Sequence, residues 1–177
     1  MMTICLSHTT ALEVLRCWNA PRLLERGRQE GSARPPERMP ELRRCDEALG
    51  RVEALSALRP PYHVIVSGTT ARHRSELLVA HQTQALQPPG SFFSLSPEVH
   101  CASPELVLLQ MAEYATDLEL LLLVDELCGH YGIQPRASRG LVKRSDPLTN
   151  TRRILDYLDR ASTPRGASKL RRAVGRA

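Results

Sequence analysis

Residues Ser103 to Gly132 read SPELVLLQMAEYATDLELLLLVDELCGHYG, and this stretch decides the fold. Ser103 offers a side-chain acceptor to free amides of a first helical turn, Pro104 lacks the N–H that such a turn leaves unpaired, and Glu105 offsets the helix dipole. A second apolar segment follows Asp117, and Gly132 supplies a stop. Leu108, Met111, Ala112, Leu120, Val124 and Leu127 fall at helical spacing. The expectation is a buried helix pair at the centre of the molecule. Glu113, Asp117, Glu119, Asp125 and Glu126 crowd the same pair and read as its solvent faces, with a catalytic carboxylate pair as the competing reading.

Upstream, Thr3–Leu6 reads as a short strand. Thr10 with Glu13 fits a capping box, with Ser7 as the alternative cap, and Ala11, Val14, Leu15 and Trp18 recur on one helical face. Residues 31–40 (GSARPPERMP) form a loop by composition. Leu42, Cys45, Leu49, Val52 and Leu55 outline a second amphipathic helix, interrupted by Gly50 and ended by Pro60 and Pro61. Tyr62–Val66 is rich in β-formers, and Glu76–His81, Ser91–Ser94 and Glu98–Cys101 supply further short strands. Downstream, residues 133–149 read as a polar linker. Asn150 caps a helix with Ile154, Leu155 and Leu158 on one face, and a last helix spans Pro164 to Ala173. The predicted class is α+β: a small sheet of short strands packed against helices, with a basic helical C-terminal segment. The expected division is 1–132 as the α+β domain, 133–149 as linker and 150–177 as the basic segment.

Composition narrows the function classes. An apolar fraction of 42% suffices for a core, and 4% aromatics make that core aliphatic. The longest uncharged apolar run, Leu120–Val124, is far too short to span a bilayer, so no membrane role is expected. The N-terminus lacks the charged flank and continuous apolar region of a signal peptide. Five scattered cysteines are an odd number, which argues against a disulfide framework and for a reducing, cytoplasmic setting. Residues 136–177 hold twelve basic against three acidic side chains, whereas residues 1–135 hold twelve against sixteen. A mildly acidic body thus carries a basic end, drawn to polyanions or to an acidic partner, or else simply solvated.

Chemical motifs are mostly missing. His100-Cys101 and Cys128-x-His130 lack the paired spacing of a zinc site, and Cys128 reads as a small packed hydrophobe. No nucleophile elbow, P-loop or dinucleotide fingerprint occurs. The expectation is therefore no catalytic residue, no cofactor and no metal. Ser67-Gly68-Thr69-Thr70 is either a strand-exit turn or a backbone anion cradle, and Arg72-His73-Arg74 is a surface loop or a phosphate contact. At the C-terminus Arg165, Lys169, Arg172 and Arg176 fall at i, i+4, i+7 and i+11, one stripe on a continuous helix, opposite Ala167, Leu170 and Val174. With Arg152 and Arg153 added, these are the predicted nucleic-acid contacts.

Three segments resemble a known family. Ser7-His8-Thr9-Thr10-Ala11-Leu12, His63-Val64-Ile65-Val66, and Ser103-Pro104-Glu105 with Leu108-Leu109-Gln110-Met111-Ala112 resemble, in order, motifs of the C-terminal domain of AbiEi-type antitoxin regulators. Glu126–Tyr131 is similar to a variant in actinobacterial relatives that continue into a very-short-patch-repair-like nuclease domain. The resemblance covers about residues 4–131. It implies a bacterial defence role: a non-enzymatic antitoxin or transcriptional regulator that opposes a nucleotidyltransferase-like toxin by protein contact. The chain departs from the full regulators in showing no N-terminal winged helix-turn-helix, which puts ordinary promoter binding in doubt. The alternative expectation is the accessory N-terminal part of a restriction-endonuclease-like protein whose catalytic domain lies outside this sequence.

Overall fold

The structure is a computed structural model that describes residues 3–29, 35–38, 40–52, 55, 58–68, 76–83, 87–134, 139–161 and 165–177. Its elements run β1 (Ile4–Leu6), α1 (His8–Leu15), α2 (Ala20–Gln29), α3 (Leu42–Gly50), β2 (Tyr62–Val66), β3 (Leu78–Gln82), β4 (Phe92–Ser94) and β5 (Val99–Ala102). The helix pair α4 (Pro104–Met111) and α5 (Asp117–Cys128) follows, then β6 (Tyr131–Ile133), β7 (Leu141–Lys143), α6 (Thr151–Arg160) and α7 (Ala167–Val174). The fold is α+β, with a five-stranded mixed sheet ordered β3-β2-β1-β5-β4 and a separate β6-β7 hairpin.

Strand chemistry explains the sheet order. Ile4, Cys5 and Leu6 are all buried, as befits a central strand covered on both faces. β1 runs parallel to β5 and antiparallel to β2, while β3 joins β2 in parallel, pairing His63 with Val79 and Ile65 with His81. β-branched Val64, Ile65 and Val66 are buried on β2.

Helix starts follow their capping chemistry. Ser103 Oγ accepts from the Leu106 amide at 3.3 Å, and Asn150 Oδ1 accepts from the Arg153 amide at 2.9 Å. Thr116 and Glu119 form a reciprocal capping box at the start of α5. The predicted box at Thr10 and Glu13 does not form: α1 starts earlier, and Thr10 Oγ1 instead accepts from the His63 amide at 2.8 Å.

The helix pair is the centre, as its spacing predicts. Leu108, Ala112, Leu120, Val124 and Leu127 are buried, and Met111 packs partly buried against the same cluster. α6 and α7 add Ile154, Tyr157, Leu158, Leu170, Ala173 and Val174 to that cluster.

Four expectations need correction. Trp18 lies beyond the end of α1 and is 66% exposed, because the helix stops at Leu15. The sequence pattern does not mark helix α2: its charged residues outnumber its apolar ones, and only a narrow stripe of Ala20, Leu24 and Gly27 is buried. α2 packs on β4 at Gly27, where any Cβ would strike the Ser94 backbone. The segment 133–149 is not a featureless polar linker, since it carries part of the hairpin and the fully buried Arg144. Glu126 is not a solvent-face acid, its side chain being 4% exposed. The Arg72-His73-Arg74 cluster, Thr69, Thr70 and half of the 31–40 loop lie outside the described residues.

Candidate functional site

Three histidines from three elements meet at the start of α1. The chain leaves β1, and Ser7 donates its amide to the His63 carbonyl at 2.9 Å. It then turns into α1 through His8, whose φ of 50° lies in the left-handed region. That conformation is uncommon for a residue with a side chain and is held here by its surroundings. The His8 amide donates to Gln110 Oε1 at 3.0 Å, and His8 Nδ1 lies 3.1 Å from the Ser7 hydroxyl. The His8 ring stacks on His81 with centroids 3.4 Å apart. His81 Nε2 in turn lies 2.8 Å from His63 Nδ1. Tyr114 meets the His8 ring edge-on at 5.9 Å.

Burial dominates the electrostatics of the cluster. It pushes the His8 imidazole down to about 3, with His81 and His63 adding repulsion, and burial also lowers His63. The N-to-N contact between His63 and His81 requires one nitrogen to donate and the other to accept, which two imidazolium rings cannot do. The contact therefore excludes a His63–His81 pair with both rings charged, and burial favours the neutral forms of His8 and His63. A depressed histidine contributes stability that is complete above its unfolded value of 6.5 and is lost as the pH falls towards 3. For His8 alone the expected loss is about 2 kcal/mol at pH 5. His8→Asn keeps a side chain tolerant of the left-handed backbone and removes the titration. Urea unfolding of both proteins at neutral and mildly acidic pH checks this, the variant showing the smaller decrease. An equal decrease in both would contradict it.

Beside Tyr114 opens a groove of about 470 Å³, lined by Leu12, Met111, Tyr114, Leu122, Leu123 and Ile133 among others. Its polar end is a fixed ion pair. Glu126 receives Arg16 in a two-pronged contact at 3.0 and 2.8 Å and also accepts the Ile133 amide at 2.8 Å. Arg144 approaches the same carboxylate at 3.8 Å and donates to the carbonyls of Glu126 and Leu15 at 2.9 and 3.1 Å. Glu119, also on the groove wall, is held below the usual carboxylate range by its bonds to Thr116. The acids here are committed to structure. The groove suits apolar side chains better than proton transfer.

Apolar surface continues out of the groove. Tyr114, Leu118, Leu122, Tyr131, Ile133 and Leu141 are 43–66% exposed. Ile133 pairs with Leu141 across the hairpin, and Tyr131 lies two residues along the same strand, so the three share one face. Leu118 and Leu122 are one helical turn apart on α5. Leu122 and Ile133 both line the groove, which joins the helix patch to the hairpin patch. The signal for this surface lies in α5 itself: Leu118 and Leu122 form a second apolar stripe beside the buried Leu120, Val124 and Leu127.

The predicted nucleic-acid contacts do not form one stripe. α7 spans only Ala167–Val174, leaving Arg165 before the helix and Arg176 after it. Lys169 is committed to structure, since its ammonium donates to the Ala115 carbonyl and lies 3.7 Å from Asp117. Arg172 is exposed. Arg152 is 91% exposed and 4.0 Å from Asp156, while Arg153 sits on another part of α6.

The thiols are kept protonated. Burial pushes Cys5 and Cys45 up to about 12, and Cys128 up to about 11 with help from Asp125 and Glu105. Such thiols are poor nucleophiles. Among the described residues no three His, Cys, Asp or Glu side chains are arranged to hold a metal ion, and no helix is long and apolar enough to cross a membrane. Compared with known protein families, with curated proteins and with solved structures, the chain finds no match.

Proposed function

We propose that this chain is a non-enzymatic, antitoxin-like regulatory module of the cytoplasm that acts by protein contact. The observation that carries the reading is the exposed apolar surface around the groove, from Tyr114 and Leu122 to Ile133 and Leu141. Contiguous apolar surface next to a well-formed groove is characteristic of protein-binding faces. The paired state of Arg16 and Glu126 favours contact over catalysis at this site. The motif resemblance to AbiEi-type regulators supports the antitoxin role, and His8 and His63, from two of its motifs, sit in one cluster. The partner on this reading is a nucleotidyltransferase-like toxin, with weak nucleic-acid contacts from the basic C-terminal segment assisting regulation.

The test is co-expression with a nucleotidyltransferase-like toxin, with growth as the readout. The wild-type chain is expected to restore growth that the toxin arrests. Leu122→Glu places a charge on the groove wall at a position already 54% exposed, so folding should be little affected. Loss of rescue with unchanged thermal stability supports the reading. Full rescue by Leu122→Glu and by Ile133→Glu would refute contact through this surface.

A further inference from the structure

A second pocket, about 280 Å³ in volume, lies between the end of α2, the turn before β4, and α6. Arg153, Tyr157 and Arg160 line it at i, i+4 and i+7 of α6, which places them on one helical face. Arg153 and Arg160 therefore flank Tyr157 over two turns, about 10 Å along the axis. Arg28 enters from the last turn of α2. Tyr157 is fixed beneath them, its hydroxyl 2.9 Å from Ser91 Oγ.

The charges in this pocket do not cancel. Two acids line it, Glu105 and Asp156, against three guanidinium groups. Glu105 Oε1 already accepts the Thr149 hydroxyl at 2.6 Å and lies 3.6 Å from Arg28, too far for a good hydrogen bond. Asp156 also faces Arg152. Arg160 donates Nε to the Asp156 carbonyl, leaving its terminal nitrogens for another acceptor. The Arg153 side chain makes no hydrogen bond or ion pair among the described residues, while its backbone amide donates to Asn150 Oδ1. Burial lowers the Arg28 guanidinium, and the like charge of Arg153 lowers it further against the opposing pull of Glu105. Among the described residues, one positive charge of this open polar pocket is left without an acidic partner.

We propose that this pocket binds a phosphate oxyanion, the group common to phosphomonoesters and nucleic-acid phosphodiesters, between Arg28, Arg153 and Arg160. A singly charged phosphate would neutralise the pocket. Planar guanidinium forks match phosphate oxygens in pairs, and Arg is favoured wherever that geometry matters. The volume admits one phosphoryl group with water. The site is independent of the protein-contact surface around Leu122. It also moves the phosphate contact away from the α7 residues and onto α2 and α6.

The test is a thermal-shift titration of the full chain at constant ionic strength. The probes are inorganic phosphate and a short oligothymidylate with or without a 5′-phosphate. A ligand that binds only the folded state raises the melting temperature, by an amount that grows with the logarithm of ligand concentration above its dissociation constant. The double variant Arg153→Gln/Arg160→Gln alters surface positions of α6 and should fold, as circular dichroism would verify. It is expected to weaken binding roughly tenfold or more, whereas Arg172→Gln is expected to leave it unchanged. Stabilisation by phosphate and by the phosphorylated oligonucleotide alone identifies a monoester site. Equal stabilisation by the unphosphorylated oligonucleotide identifies a diester site. No stabilisation by any probe, or equal affinity in the double variant, would overturn the proposal.

Discussion

Replacing Arg144 by methionine is expected to destabilise the fold by about 3–5 kcal/mol, the range for breaking a buried charge network from one side. Arg144 is among the largest fully buried side chains. It fastens three parts of the chain: its guanidinium donates to the carbonyl of Leu15 at the end of α1 and of Glu126 in α5, and its amide donates to the His130 carbonyl. The substitution leaves the first two carbonyls without their donor, and each buried orphan costs about 1–3 kcal/mol. Glu126 keeps Arg16 and so remains paired, which holds the loss within this range. Gly132 belongs to the same device, because any Cβ there would collide with the Arg144 guanidinium. Urea unfolding of the wild type, Arg144→Met, Glu126→Gln and the double variant checks the network. The two single effects should add to more than the double effect, as expected for side chains in one network. A loss below about 1 kcal/mol for Arg144→Met would place it in the ordinary range of mild substitutions and contradict the account.

Leu127→Ala is expected to cost about 2–5 kcal/mol, from lost apolar burial plus the cavity left behind. Leu127 is fully buried in α5, and its carbonyl accepts the amides of Leu148 and Thr149, so the chain that follows the hairpin is pinned where the side chain packs. Glu119 is unsuitable as a surface control, because it closes the capping box with Thr116. Asp125, exposed on the same helix, is the better choice, and Asp125→Ala should change stability by less than about 0.5 kcal/mol. Thermal unfolding of both variants is the check, and an unchanged melting temperature for Leu127→Ala would contradict the packing.

What was legible in the sequence follows from the range of the interactions. Ser103, Pro104 and Asn150 act within one helical turn, so their effect is visible in a short window. The buried faces of α4 and α5 are likewise written as local spacing. The three-histidine cluster is different. His8, His63 and His81 are brought together by a sheet in which β1 and β3 both flank β2, and no spacing along the chain encodes that meeting. The same holds for Arg144, which lies in a polar stretch and reads as solvated until its distant acceptors Leu15 and Glu126 are known. Glu126 reads as a solvent-face acid for the same reason: on a helix of mixed apolar and acidic residues, local pattern cannot identify the acid that has a buried arginine waiting. The Arg165 to Arg176 stripe failed on length, since spacing predicts a stripe only where the helix persists.

On the proposed reading, the face around the groove, joining α5 to the β6-β7 hairpin, is where this chain meets a protein partner. The most direct measurement is isothermal titration of the purified chain against a purified nucleotidyltransferase-like toxin, the proposed partner, with Leu122→Glu and Ile133→Glu in parallel. The expected result is a saturable complex for the wild type and at least about tenfold weaker binding for each variant, the scale of a loss above about 1.4 kcal/mol at a well-packed interface residue. Wild-type affinity retained in both variants, or no binding by the wild-type chain, would contradict it.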